Sequence, residues 1–539
     1  MNFNFFTGGK WNLDKVAAPW KARPSIYQHI LANIRAGEPG LGETGELLPD
    51  EEIIRGDNQL RWAPGALDGT FGHHTSHTEG AEAAKQILES FHSLARKAND
   101  ERAASLYATL LDHPALKIVD HLLDAVVSVN DLEAERIHAI ARWLATNAAD
   151  REPVKYAIAL LGVFQGGHDR DLLLTLGRHE EFTLFASVAL QNSDEDAELS
   201  LWSLACLVTG WGRIHIVERL AETTDDQIKS WMLREGYHND IMHEYTALIC
   251  AQTGGLLAAL RQRDADEKLL KGAGSILSAL VDGRRGPAAG INSYPEGAEA
   301  TELYLQHLQS RELDLEDYIA VSRIESFLNE EDGEVKDPAL GWPERRARLL
   351  ELTCAIRSRP DWEQKIRAAL DSENHNTFWR ATWAAQLRGL DVWDVYFERL
   401  KRGEDQWLFA MQTKDRERID RLITLAEETL PLDEIASGPS NSLGLGPEYQ
   451  HHSALDLVLQ ELQQFPGRAW PLIRAGLQSP TVRNRNKAVE ALAAWDRNTW
   501  PAKAEPLLRR ALELEPVSDT RALIMKTLEG AANNAKGVR

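Results

Sequence analysis

From Ala81 onward, apolar residues recur along the chain with a helical period. Leu201, Leu204, Ala205 and Val208 fall at i, i+3, i+4 and i+7, which places them on one face of a helix. Ile214, Val217 and Ala221 keep that rhythm, as do Ile228, Trp231 and Met232, and then Tyr245, Leu248 and Ile249. Short breakers stand between these runs: TGWG, TTDD, REGYHND and TGG. Helices of about a dozen residues joined by connections of a few residues predict antiparallel neighbours. No stretch alternates cleanly with a period of two, so no sheet is proposed and the predicted class is all-α.

The first 80 residues read differently. RAGEPGLGETGELLPDEE and RWAPGALDGTFGHHTSHTEG are rich in Gly, Pro and turn formers, and only SIYQHILANIRAG has helical character. Two later stretches also break the helical pattern, one around Gly283–Gly297 and one around Ala436–Ser453. These breaks suggest an irregular N-terminal region over 1–80 and a helical repeat block over 81–282. A second helical block is expected over 298–435 and a C-terminal block over 453–535.

The C-terminal block carries an internal repeat. RNKAVEAL (Arg485 to Leu492) and RALIMKTL (Arg521 to Leu528) both begin with Arg and end with Leu seven residues on, offset by 36 residues. That period matches a two-helix repeat unit. The phrase SPTVRNRNKAVEALAAW resembles the second helix of a HEAT repeat, and FWRATWAAQL, with Arg380 and Leu387, is a looser echo. The Val expected before the Arg is Asn484 in one unit and Thr520 in the other. The resemblance covers roughly the last 70 residues closely and the rest only in architecture. It implies an α-solenoid of the HEAT/armadillo type, a right-handed stack of antiparallel helix pairs, whose long surface serves protein recognition more often than catalysis. GWGRIHIVERLAE resembles segments of uncharacterised bacterial proteins, and that resemblance implies no activity.

Charge and composition narrow the function. The formal net charge is −22, from 82 acidic and 60 basic residues. Duplex nucleic acid is bound mainly through Lys and Arg on its phosphates, so this balance counts against it. An anionic membrane surface is disfavoured for the same reason. A basic protein partner fits the charge, although acidity also serves solubility alone. The three cysteines, Cys206, Cys250 and Cys354, form no C-x-x-C pair and lie in apolar helical runs. They are expected to be reduced core thiols in a reducing compartment. MNFNFFTGGKWNLDK has no basic segment followed by an apolar core, so no secretory signal is expected. The longest apolar stretches fall well short of the about 20 residues that a bilayer requires. A cytoplasmic protein is expected.

Candidate chemistry is sparse. His73, His74 and His77 cluster in the Gly-rich stretch before Ala81, with Asp68 and Glu79 nearby. Imidazoles at this spacing suit zinc or another transition metal, with a carboxylate such as Asp68 completing the set. The same residues also read as a polar loop, since no H-E-x-x-H signature is present. In REGYHNDIMHEYTAL, His238 and His243 would diverge on one helix, so a turn is expected there, with Asp240 capping the helix that carries His243 and Glu244. An acid–base role for His238 or Glu244 is the alternative. His451 and His452 sit in a loop and matter only if folding brings them to another histidine cluster. GLGETG (Gly40 to Gly45) has the letters of a dinucleotide fingerprint but follows a helix-like stretch and precedes acidic residues, so it reads as a turn. The basic runs ERRARLL and VRNRNK fit the solvent faces of helices. The aromatic segments Phe378–Trp383 and Trp393–Phe397 are spaced as helical core.

Three functions remain open. The leading one is a cytoplasmic, non-catalytic protein-binding solenoid, an inhibitor or immunity protein acting on a basic partner. The second is a metal-dependent hydrolase using His73, His74, His77 and Asp68, with zinc activating water. The third is a scaffold or regulatory subunit.

Overall fold

The computed structural model describes residues 11–20, 22–35, 37–42, 44–55, 63–66, 68, 80–128, 134–283, 286, 288–330 and 338–536. Among these the protein is all-α: helix follows helix, and the only β pairings are two isolated bridges, Ile34 with Leu41 and Ser442 with Thr481. No described helix is long and apolar enough to cross a membrane.

The breakers act as helix caps and turns. Asp225, in TTDD, accepts hydrogen bonds from the amides of Gln227 and Ile228 and so starts the next helix. Asn99, Asp314 and Asp415 cap three other helices in the same way. The TGWG turn is held differently. The Glu180 carboxylate accepts from the amides of Thr209, Gly210 and Gly212, at 2.5–2.9 Å. An anion thereby sits where the helix Trp211–Arg219 exposes its free N–H groups. Gly255, in TGG, adopts φ +69°, a left-handed conformation that favours glycine.

The chain divides into two compact units, residues 1–384 and 385–539. In the first, helices pack on their sequence neighbours and on the next but one. The helix Glu267–Gly283 packs on Leu315–Leu328, and Leu315–Leu328 on Trp342–Arg357. Arg151–Leu161 is buried on every side from Pro153 onward, so it lies inside the core. In the second unit, Gln450–Glu461 and Trp470–Leu477 both pack on Val482–Ala494, which in turn packs on Ser518–Lys536. The two 36-residue-spaced motifs therefore fall on two helices that touch. The Gly/Pro-rich stretch at 283–297 lies inside the first unit and that at 436–453 inside the second.

Four local expectations are corrected. On Glu244–Thr253 the buried face is Thr246, Ala247, Cys250 and Ala251, whereas Tyr245, Leu248 and Ile249 are half-buried. Only Cys250 is a core thiol; Cys206 and Cys354 are exposed. Arg485, in VRNRNK, is 1% exposed rather than on a solvent face. Trp379 and Trp383, expected in the core, are each 39% exposed, while Phe378 of the same segment is buried.

Candidate functional site

Two adjoining cavities in the first unit form a concave feature lined by many charged and polar side chains. The outer one, of about 640 Å³, lies between the start of Glu267–Gly283, the turn before Leu315–Leu328, and the helices Trp362–Leu370 and His375–Arg388. The inner one, of about 300 Å³, is walled by Tyr237, His238, His243, Ser275, Ser278 and Tyr304 among others. They share Lys271, Glu316, Asp317 and Arg380, so they make one groove.

Unusual backbone builds the inner wall. Met232–Gly236 is a single π-helical turn, a form that occurs mostly as short bulges, often at functional sites. A Cβ on Gly272 would lie 1.8 Å from the Leu233 carbonyl oxygen, so only glycine lets the Glu267–Gly283 helix come this close. After the π turn, buried Asn239 fixes the chain reversal. Its Oδ1 accepts from the amides of Ile241 and Met242, and Thr246 Oγ1 donates to the Tyr237 carbonyl at 2.6 Å. Asn239, not Asp240, thus makes the turn, and the helix Glu244–Thr253 begins without a side-chain cap. The reversal brings the rings of His238 and His243, five residues apart, to 5.0 Å, with Tyr237 edge-on to His243. Burial, then the neighbouring His238 and Arg323, push the His243 pKa down to about 4. His243 is therefore neutral at pH 7.

The cations of the groove are already engaged. Lys271 bridges Asp314 at 2.5 Å and Asp317 at 2.8 Å, and these two aspartates also form the capping box of Leu315–Leu328. Burial opposes the charge on Lys271, but the two aspartates outweigh it and raise its pKa. Arg380 pairs with Glu316 and Arg323 with Asp282. Lys365 is held by Asp361 and donates to the Leu313 carbonyl, and Arg311 donates to the Ala265 carbonyl. By contrast, Glu267 and Glu312 at the outer cavity pair with no cation among the described residues. The helix His375–Arg388 lines the outer cavity with Thr377 and Arg380 and presents Trp379 and Trp383 to solvent; Arg323 of the inner cavity lies over the Trp383 ring at 5.3 Å, and His375 stacks on Trp379.

Of the metal candidates, His73, His74 and His77 lie outside the described residues. Asp68 is buried, and its Oδ2 is 2.6 Å from Lys155 Nζ. Lys155, 3% exposed, also meets Glu181 at 2.7 Å, while Arg151 binds Asp50 and Glu51. Burial raises the Asp68 carboxyl against the pull of Lys155. Burial also acts on Glu181, but Lys155 and Arg151 outweigh it and hold its pKa at about 2. The cluster ties Asp50, Glu51 and Asp68 to the helices Arg151–Leu161 and Glu180–Ser193. Among the described residues, no group of three or more His, Cys, Asp or Glu side chains is placed to hold a metal ion. His451 and His452, expected in a loop, lie instead in the first turn of the helix Gln450–Glu461, where His452 is bound to Ser479 and Asn484. GLGETG is a turn, closed by the Gly45 amide donating to the Gly42 carbonyl.

Sequence reasoning singled out His238, His243 and Glu244 but missed the rest of the groove. Its walls come from segments as far apart in sequence as Tyr237 and Arg380, which leave no local signature.

No protein-family model matches the chain, and no curated protein matches it. Among solved structures, an engineered protein crystallised by the Northeast Structural Genomics Consortium aligns with 82% of this chain and 98% of its own. The identity is 15% and the TM-score 0.22, too low to carry an argument about fold.

Proposed function

We propose that the protein is a non-catalytic binding protein that holds a basic segment of a partner protein in this groove. The observation that carries the reading is the imbalance at the outer cavity. Its cations are committed to carboxylates or carbonyls, whereas Glu267 and Glu312 are not. A lysine or arginine side chain would supply the missing counter-charge. On the helix that supplies Thr377 and Arg380 to the cavity, Trp379 and Trp383 add exposed aromatic surface of the kind that dominates interface energetics. The net charge of −22 would steer such a partner toward the protein.

An α-solenoid of HEAT type is the architecture we favour. Its support is the chain of contacts between each helix and the next but one, together with the 36-residue offset of Arg485 and Arg521. An inhibitor or immunity protein in the cytoplasm, acting on a basic partner, is the concrete form of the proposal. The hydrolase reading gains nothing from Asp68, whose carboxylate is taken by Lys155.

The test is titration of a lysine-rich peptide, and of its glutamate-rich counterpart, into the full chain by calorimetry. The basic peptide is expected to bind and the acidic one not. Trp379→Ala with Trp383→Ala should weaken binding at least tenfold, since hot-spot truncations cost about 2 kcal/mol or more. No binding, or binding that ignores the double variant, would overturn the proposal.

A further inference from the structure

The inner cavity holds a feature that the basic-partner reading does not use. Tyr304 and Ser278 both line it, and their hydroxyls are buried and have no hydrogen-bond partner among the described residues. Tyr304 is 0% and Ser278 4% exposed. A buried hydroxyl without a partner carries a desolvation cost that a bound guest or water would relieve. Tyr304 Oη packs over Gly274, where a Cβ would be 2.4 Å away, so glycine makes room for the hydroxyl.

Charge and chemistry define the guest. The cavity wall carries Lys271, Arg323 and Arg380 against Glu244, Glu316 and Asp317, three cations facing three carboxylates. A charged guest gains no net attraction there. A guest that is polar but uncharged loses least on entry. Neutral imidazole offers one ring nitrogen as acceptor and one as donor, and each hydroxyl can do either. A guest that answers them needs an acceptor and a donor on one small planar group. A primary carboxamide has both.

We propose that the inner cavity is a binding subsite for an uncharged carboxamide, held by Tyr304, Ser278 and His243. The amide could come from a free small molecule or from a glutamine or asparagine side chain of a bound protein; the chemistry at the subsite is the same. The subsite shares the groove with the basic-partner reading but does not rest on it.

The test uses three ligands of one size and different charge: propionamide, propionate and propylammonium. Each is titrated into the full chain carrying ¹³C-labelled histidine, with the His238 and His243 ring resonances as the readout. Propionamide is expected to shift them saturably, at least tenfold more tightly than the other two. Tyr304→Phe with Ser278→Ala should abolish the response while leaving the melting temperature of the free protein level or higher. If the double variant does not fold, Ser278→Ala alone should weaken propionamide at least threefold. A second arm adds a lysine-rich peptide with one glutamine, or with glutamate in its place. Displacement of propionamide by the glutamine peptide alone assigns the amide to a partner's side chain; no displacement assigns it to a free small molecule. Equal response to all three ligands, no saturable response, or a response that survives loss of the hydroxyls would overturn the proposal. A missing saturable response would mean that the hydroxyls hold water only. Because propionamide carries no lysine, its failure would leave the basic-peptide titration as a separate result.

Discussion

Arg485 shows how a single residue can mark a repeat and close it. Its guanidinium makes two 2.7 Å bonds to Glu515 and donates to the carbonyls of Ser440, Ser479 and Pro480. Arg521, its counterpart 36 residues on, donates to the Glu515 carbonyl. The Arg of the motif was legible in the sequence, but its burial was not. In VRNRNK the charges looked solvated, because the partner Glu515 lies 30 residues away and the helix pattern gives no hint of it. Arg485→Met should destabilise the second unit by about 3–5 kcal/mol, since it strands a buried carboxylate, and Glu515→Leu added to it should recover much of the loss. Urea denaturation checks both. Two histidines set a pH window. Burial pushes His179, which faces Glu181, Arg151, His29 and the Glu46 carbonyl, down to about 4, and His243 is pushed to the same level. The unfolded chain binds these protons near pH 6.5 and the folded one near 4, so the unfolded state holds more protons between those values. Their contribution is therefore complete above pH 6.5 and is lost as pH falls toward 4, at up to roughly 3 kcal/mol each. Glu181 acts in a separate window: its contribution is present above pH 4.5 and is lost toward pH 2. Melting curves of the protein should fall between pH 6.5 and 4, and His179→Gln with His243→Gln should flatten that slope.

At the scale of elements, helical class and breaker positions were readable because they are local. Apolar spacing and caps such as Asp225 and Asp314 act within one turn. What a helix face meets is not local. Trp379 and Trp383 repeat at i and i+4 as a core stripe would, yet Phe378, Ala381 and Ala385 form the buried face and leave the tryptophans in solvent. The groove was illegible for a related reason: Gly272, Gly274, Ser275 and Ser278 look like ordinary small residues of a packed helix. Gly272→Ala should cost about 2–3 kcal/mol, because its Cβ would collide with the backbone of the π turn. Ala469 behaves in the opposite way. It is the one non-glycine residue with positive φ, at +56°, among those described, and it stands just before the helix Trp470–Leu477. Left-handed backbone costs an L-residue about 1–2 kcal/mol, more than the about 0.5–1 kcal/mol of entropy that glycine loses on folding. Ala469 is also buried, and losing its methyl costs about 0.8 kcal/mol, so Ala469→Gly should leave stability within about 0.5 kcal/mol, whereas the same change inside a helix destabilises. Chemical denaturation of the two variants checks both.

For the whole molecule, the excess of 22 negative charges and the groove support one proposal together: recognition of a basic segment at carboxylates, Glu267 and Glu312, that pair with no cation among the described residues. Charge alone would attract any polycation weakly and anywhere on the surface, with an affinity that fades as salt screens it. A groove with uncommitted carboxylates places the contact. The most direct measurement is the affinity of a lysine-rich peptide for the native chain and for Glu267→Lys with Glu312→Lys, at low and at 0.15 M salt. Site-specific recognition predicts that the reversed groove binds at least thirtyfold more weakly at both salts, although its net charge is still strongly negative. Equal affinity for the two proteins would contradict it and leave only the diffuse attraction of an acidic surface.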